Sequence, residues 1–361
     1  MTFLPKYTIT KDILADLTKI EAVKNSFEDK PLSPVLLSSL HKTAKIAQSH
    51  YSTQIEGNRL SLKQVETTLY SANKTAKDYQ GHDEKEVKAY YNAINYMEKV
   101  LEEGGEFNEK LVQKIHSLVE NSQKIIPYRN EQNAIYDTSD GSLVYLPPET
   151  KDVPVMMKDL IDWVNENIDK LPTPVVAGLF HYQFVTIHPY FDGNGRTARL
   201  MTNYIMRKFG YGLKGIYSLE EYYAKNLKDY YQALATHPHH NYYYGRHEAD
   251  LTPWVEYFIK GVATAFENIN IKAEEQQNAG IKDISPALRK LDIKQRKILE
   301  LFVEFEEITS NQAGEYLNLS SQSARLLLNK WVDVGFLIMA NKARKNRTYG
   351  LSKEYEELLM K

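Results

Sequence analysis

His188-Pro189-Tyr190-Phe191-Asp192-Gly193-Asn194-Gly195-Arg196-Thr197-Ala198-Arg199 is the string on which the reading of this chain turns. Two glycines bracket one asparagine directly before a segment, Arg196 to Phe209, whose apolar residues recur at helical spacing. Glycine permits φ > 0 and lets backbone N–H groups approach a ligand closely. A helix N-terminus adds partial positive charge and unpaired donors. Arg196 and Arg199, three apart, share a face of the first turns. Cations there oppose the helix macrodipole at a cost of roughly 0.3–1 kcal/mol each, which a bound polyanion would offset. The expected ligand carries several phosphates, yet the Gly-Lys-Ser/Thr ending of a Walker loop is absent. His188 is placed to take a proton from an attacking hydroxyl. Asp192 is a hard oxygen ligand suited to Mg²⁺. Singly, these are a turn, a helix cap and a structural histidine; together they make a phosphoryl- or nucleotidyl-transfer set.

These twelve residues resemble the Fic signature, His-Pro-Phe-x-Asp/Glu-Gly-Asn-Gly-Arg-x-x-Arg, with Tyr190 in the aromatic position. The resemblance spans about residues 30 to 270. It implies an adenylyltransferase moving AMP from ATP to a Tyr, Thr or Ser hydroxyl of a target protein or of the chain itself. It also implies roles: His188 the base, Asp192 the Mg²⁺ ligand, Gly193, Asn194 and Gly195 the phosphate cradle. Arg196 would then contact the β- and γ-phosphates and Arg199 the γ-phosphate.

Outward from this string, helical periodicity dominates, so the fold expected is mainly α. Helices are predicted within Leu32 to Tyr70 and over Asp83 to Glu103, Asn108 to Val119, Val155 to Asn167, Val175 to Phe184, Tyr222 to Ala235 and Pro253 to Asn268. Ala134 to Tyr136 and Leu143 to Tyr145 flank the turn Asp137 to Gly141 and predict a hairpin. In the Fic resemblance it is the flap that docks a target by strand addition. The domains expected are an N-terminal helical region (1–105), a catalytic core (106–270), a polar linker (271–285) and a tail (286–361).

Ser52-Thr53-Gln54-Ile55-Glu56-Gly57-Asn58 is the second informative string. Ser52 and Glu56 lie one helical turn apart, and Gly57 is a candidate helix stop. By itself this is a solvated glutamate at a helix end. Beside the Fic signature it resembles the Ser/Thr-x-x-x-Glu-Gly/Asn inhibitory helix (about 45–57) of the subgroup in which that helix precedes the core. Glu56 is then expected to compete with the γ-phosphate for Arg199, through a bidentate carboxylate–guanidinium pair.

The tail reads as three helices, with Ser320 an N-cap, followed by two strands around the basic turn Asn341 to Asn346, which is winged-helix order. Residues 285–361 hold 13 Lys+Arg against 10 Asp+Glu, net +3, while the rest of the chain is net −5. Ser321, Gln322, Ser323 and Arg325, with Lys342, Arg344, Lys345 and Arg347 in the wing, could meet DNA phosphates. The alternative for such a module is protein docking or a homodimer. Two further functional readings follow: a DNA-binding regulator whose Fic fold senses nucleotide, or a de-AMPylating hydrolase in which Glu56 orients water.

The 361 residues include no cysteine, which excludes disulfides, thiol nucleophiles and thiolate metal sites. The near-neutral total charge of −2 excludes a uniformly basic nucleic-acid coat. No secretory leader and no apolar run of membrane-spanning length appear, so the expectation is a cytoplasmic protein with no membrane partner. The 26 tyrosines are read mainly as packing, with Tyr230 or Tyr231 near the nucleotide. His237, His239, His240 and His247 are read as a polar loop rather than a metal site.

Overall fold

The computed structural model describes residues 3–359, apart from 29–31, 33, 71–80, 137–139, 279–290, 318, 342 and 344–346. The chain divides into two compact units, Met1–Asp29 with Thr43–Asn270, and Lys30–Lys42 with Ile271–Lys361. The division differs from the expected domains in assigning 30–42 to the second unit.

The first unit is helical. Its elements are α1 (Lys11–Glu28), α2 (Pro34–Ile55, shared with the second unit), α3 (Leu62–Tyr70), α4 (His82–Glu102) and α5 (Glu109–Val119). A two-stranded hairpin follows, β1 (Ile135–Tyr136) and β2 (Leu143–Tyr145), then α6 (Val153–Asn167), α7 (Thr173–Ile187) and α8 (Asn194–Lys208). It ends with α9 (Leu219–Lys225), α10 (Leu227–Leu234) and α11 (Thr252–Asn278, shared with the second unit from Ile271).

Helix α7 explains where the core sits. Every residue from Thr173 to Ile187 except Val185 is buried, and a helix apolar on all sides belongs at a centre rather than a surface. It packs against α6 and α8. Trp254 of α11 is fully buried and donates its indole N–H to Gly178 O at 2.7 Å. A Cβ at Gly178 would collide with the Phe258 ring at 2.7 Å, so glycine permits this close approach. The tyrosines largely serve packing: Tyr90, Tyr182, Tyr190, Tyr204, Tyr223 and Tyr230 are almost wholly buried. Several tether their hydroxyls, as Tyr204 does to Gly105 O at 2.6 Å.

Three departures from the sequence reading are instructive. Helix α1 was not anticipated; it buries only Ile13, Ile20 and Phe27 along its length, at seven-residue spacing. The segment expected as one helix from Tyr222 to Ala235 is two. It breaks at Asn226, whose side chain donates to Tyr222 O at 2.8 Å, a local bond that competes with the helical ladder. Helix α11 runs to Asn278, through the first part of the expected linker, because Ala273 is fully buried and Lys, Ala, Glu and Gln favour helix. The rest of that linker lies outside the described residues.

The second unit contains α12 (Ile293–Glu304), β3 (Glu307–Thr309), α13 (Ser310–Leu317), α14 (Ser321–Asp333), β4 (Leu337–Asn341), β5 (Thr348–Leu351) and α15 (Lys353–Leu359). Asp292 and Gln295 form a reciprocal capping box on α12. Ser320 caps α14, as expected, by accepting from Ser323 N at 3.1 Å. Strand β3 and helix α15 were not anticipated. The sheet order is β3-β5-β4, all antiparallel. Ile298, Ile308, Leu328, Trp331, Phe336 and Tyr349 fill its core. Ser321, Gln322, Ser323 and Arg325 are exposed on α14. Of the wing residues named from sequence, Lys342, Arg344 and Lys345 lie outside the described residues. No helix among the described residues is long and apolar enough to cross a membrane.

Candidate active site

The turn between α7 and α8 builds the site. His188 caps α7 in the left-handed region at φ 51° and ψ 60°, a conformation that costs a non-glycine residue about 1–3 kcal/mol. Its Nδ1 lies 3.2 Å from Val185 O. A carbonyl only accepts, so Nδ1 carries the proton and Nε2 keeps its lone pair. Burial lowers the pKa of this imidazole; Arg129 lowers it further, while the Val185 bond, Glu56 and Asp192 act the other way. The net direction favours the neutral, proton-accepting form.

Gly193 is the N-cap of α8, with φ 71°. A Cβ there would overlap Glu120 Oε1 and stand 3.1 Å from His116 Cε1. Gly193→Ala is therefore expected to cost about 1–3 kcal/mol and to lower thermal stability. Unfolding curves check this, and an unchanged melting temperature would contradict it.

Asn194 was expected in the phosphate cradle, but its side chain is committed elsewhere. Oδ1 accepts from Tyr190 N at 3.0 Å and Nδ2 donates to Tyr190 O at 2.9 Å. This closes the 190–194 turn and leaves only backbone for the cradle. Tyr190 in turn stacks on His116, with centroids 3.4 Å apart and planes 9° from parallel. His116 has its pKa lowered to about 3, by burial first and then by Arg196. Its Nδ1 meets Thr197 Oγ1 at 3.1 Å, tying α5 to the first turn of α8.

The two arginines differ from expectation in instructive ways. Arg196 is ringed by carboxylates: Glu86 at 2.9 Å, Glu120 at 3.0 Å and Asp192 at 3.1 Å. The cost of its position at a helix N-terminus is thus offset by this chain's own carboxylates, not only by a bound polyanion. Burial raises the pKa of Glu120 against the opposing charge of Arg196. Glu86 and Glu120 were not anticipated, because single glutamates on α4 and beyond α5 look like solvated helix faces.

Arg199 is wholly buried and reaches α2. Its Nε donates to Ser52 Oγ at 2.9 Å, and its Nη2 donates to Ser52 O and Glu56 Oε1, both at 2.8 Å. The pair with Glu56 uses one nitrogen rather than the expected two, and Nε and that same Nη2 also bond Ser52. Burial would lower the pKa of Arg199, but Glu56, Tyr230 and Tyr90 outweigh it and hold it above the ordinary value. Glu56 lies just past α2 in a turn. Gly57 sits there at φ 99°, Gly57 N donates to Gln54 O at 3.0 Å and Asn58 N donates to Thr53 O at 3.1 Å, the pattern of a glycine helix stop. A Cβ at Gly195 would overlap Glu56 Oε1 and stand 3.0 Å from Arg199 Nη1. The Glu56 carboxylate thus lies directly against the α8 N-terminus.

Two tyrosines flank this pair. Tyr230 OH meets His181 Nε2 at 2.9 Å, and Tyr231 OH donates to Ile55 O at 3.4 Å.

Asp192 is exposed over 78% of its side chain. Its Oδ1 accepts from Gly193 N at 2.6 Å and from Arg196. Mg²⁺ is commonly held by one or two carboxylates plus substrate phosphates, and one exposed carboxylate beside the α8 N-terminus fits that habit. Among the described residues, no cluster of three or more His, Asp or Glu is placed to hold a metal alone. The loop histidines bond backbone: His240 Nδ1 meets Val144 O at 2.8 Å, and His247 Nδ1 meets Tyr242 O at 3.3 Å.

The hairpin stands beside this turn. Ile135 pairs with Tyr145, and Tyr136 with Leu143. Tyr136, Leu143 and Val144 are exposed, while Tyr145 is buried and donates to Thr186 O at 2.7 Å.

Residues 106–206 match the Fic/DOC family. The matched segment holds His188 to Arg199 and ends within α8. Protein adenylyltransferase Fic of Drosophila willistoni is 31% identical over 173 residues, covering 47% of this chain and 33% of the relative. The Culex quinquefasciatus protein of the same name is 30% identical over 179 residues, covering 48% and 34%. The chain thus spans about a third of the length of these curated relatives. The fold is shared with a Fic family protein from Desulfovibrio desulfuricans G20. There the TM-score is 0.58 at 22% identity, covering 97% of this chain and 99% of that one. Fic-1 from C. elegans gives 0.55 at 22% identity, covering 73% of each.

Proposed function

We propose that this protein is an adenylyltransferase that moves AMP from Mg·ATP to a hydroxyl side chain, on a target protein or on itself, and that Glu56 holds the reaction in check. One observation carries the transfer reading: His188, whose Nδ1 bonds Val185 O and leaves Nε2 as the accepting nitrogen, stands in the turn that leads into the glycine-bracketed N-terminus of the helix bearing Arg199. The attacking hydroxyl gives its proton to His188 Nε2. Its oxygen forms a bond to the α-phosphorus, and the bond from that phosphorus to the bridging oxygen breaks, releasing pyrophosphate. The backbone N–H groups of Gly193 to Gly195 and the guanidinium of Arg199 stabilise the oxyanions. Mg²⁺, held by Asp192 and the substrate phosphates, would neutralise charge developing on the leaving pyrophosphate.

The brake reading rests on the Glu56–Arg199 contact. A carboxylate lying against Gly195 repels a γ-phosphate and occupies a nitrogen that would bind it. For the second unit we propose a winged-helix fold, supported by its helix–strand–helix–helix–hairpin order and three-stranded sheet.

ATP labelled at the α-phosphate should pass its label to protein, and ATP labelled at the γ-phosphate should not. Transfer of γ-label would replace nucleotidyl transfer with phosphorylation.

A further inference from the structure

Arg129 lies between α5 and the hairpin and is 3% exposed. No carboxylate pairs with it among the described residues. Its partners are neutral oxygens: Nε donates to His188 O at 3.0 Å, Nη1 to Thr150 Oγ1 at 3.1 Å, and Nη2 to Pro148 O. Nη1 also approaches Glu131 O and Gln132 Oε1, both at 3.4 Å. Its backbone N–H donates to Pro189 O at 2.9 Å.

A buried cation without a counter-ion is costly unless dipoles surround it. Among the described residues the dipoles come from two places. Pro148 and Thr150 follow β2 directly, and with Glu131 and Gln132 they form the base of the hairpin. The other contributor is the peptide of the base histidine itself, in its strained left-handed conformation. One rigid fork therefore joins the hairpin to the backbone of His188. Two bonds run parallel to it: Tyr145 OH to Thr186 O at 2.7 Å, and Asn133 Nδ2 to Tyr190 O at 3.1 Å. Each ends on a carbonyl in the 186–190 segment. His188 is thus held at its ring by Val185 O and at its backbone carbonyl by Arg129.

We propose that Arg129 is a positioning residue for the His188 base, and that it makes the geometry of that base depend on how the Ile135–Tyr145 hairpin is seated. A segment docking against the exposed edge of the hairpin would then be felt at Nε2 through Pro148, Thr150 and the guanidinium. Lysine cannot substitute, since an ammonium is a point donor without a planar fork. The charged groups acting on His188 are Glu56 and Asp192, which favour its protonated form, and Arg129, which disfavours it.

This inference rests on the proposed transfer reaction, so its test includes a readout that needs no turnover. In a Glu56→Gly background, Arg129→Lys should lower kcat at least tenfold. It should leave KM for ATP within twofold and the acid limb of the pH profile in place. Arg129→Gln should lower kcat and also shift the acid limb upward, because the charge is gone. A kcat within threefold of the parent in Arg129→Lys would overturn the proposal, as would a KM for ATP that rises in step with the loss. NMR titration of the His188 ring decides the same point without activity: its pKa should rise in Arg129→Gln and not in Arg129→Lys, and an unmoved value in both would overturn the proposal. If the Glu56→Gly parent transfers nothing, the transfer reading fails while the titration still judges Arg129. Should an Arg129 variant not fold, Thr150→Val removes one anchor and keeps the arginine. A two- to five-fold lower kcat at constant KM supports the coupling, and no change overturns it.

Discussion

Glu56→Gly should raise AMP incorporation on the order of 10²-fold over the unaltered protein, the scale of rate lost when a reacting group is slightly misplaced. The physical reason is local. Glu56 Oε1 holds Arg199 Nη2 at 2.8 Å and occupies the space beside Gly195 where an anion would approach the helix N-terminus. Removing the carboxylate frees one nitrogen of a buried guanidinium and removes a like-charge repulsion. Ser52 still accepts from Arg199 Nε at 2.9 Å, so the arginine stays in place when its ionic partner is lost. Glycine also suits a turn that already ends in Gly57. Glu56→Gln, which keeps the shape and loses the charge, should release activity to an intermediate level. A Glu56→Gly protein no more active than its parent would remove the brake while leaving the transfer site untouched.

Replacing His188 should have the opposite effect. Loss of a general base typically costs 10²–10⁴-fold, so His188→Ala should bring transfer close to the background rate with ATP affinity nearly unchanged. The left-handed backbone at 188 complicates alanine, which adopts that conformation poorly. Asparagine tolerates it better and removes the base equally well, so His188→Asn separates lost chemistry from a distorted turn. Both variants should bind ATP and neither should transfer AMP. The pH profile gives a second test. Burial lowers the pKa of His188, and the neutral imidazole is the active form. The rate of the Glu56→Gly protein should therefore rise with pH through a midpoint below the ordinary histidine value of about 6.5 and stay flat above it. A midpoint well above that value would point to another base.

Much of this site is visible in sequence because its chemistry is contiguous. His188, Asp192, the 193–195 turn and both arginines fall within twelve residues, so spacing alone brings them together. Glu56 was legible for a different reason: its helix-stop turn alone marks only a solvated glutamate, and the resemblance of Ser52 to Asn58 to an inhibitory helix points to its role. Arg129, Glu86, Glu120 and His116 carry no such mark. Each gains its role only when α4, α5 and the segment before the hairpin pack beside α8, and a lone arginine in Pro127-Tyr128-Arg129-Asn130 says nothing of the His188 carbonyl it will meet. Asn194 is read only in part from sequence, for the converse reason. Its place in the motif suggests the ligand, while the three-dimensional turn gives both ends of its amide to Tyr190. In the fold, the strongly periodic α4, α5 and α8 were plain. Helix α1, with a sparse apolar stripe, and the split at Asn226, set by one side-chain bond, were not.

The central claim is that His188 drives AMP transfer at a site that Glu56 restrains. Intact-protein mass spectrometry after incubation with Mg·ATP tests it most directly, comparing the unaltered chain, Glu56→Gly, and Glu56→Gly combined with His188→Asn. An AMP adduct that is abundant in Glu56→Gly, sparse in the unaltered chain and absent from the double variant is the predicted result. An adduct of equal abundance in all three, or none in the Glu56→Gly protein, would contradict it.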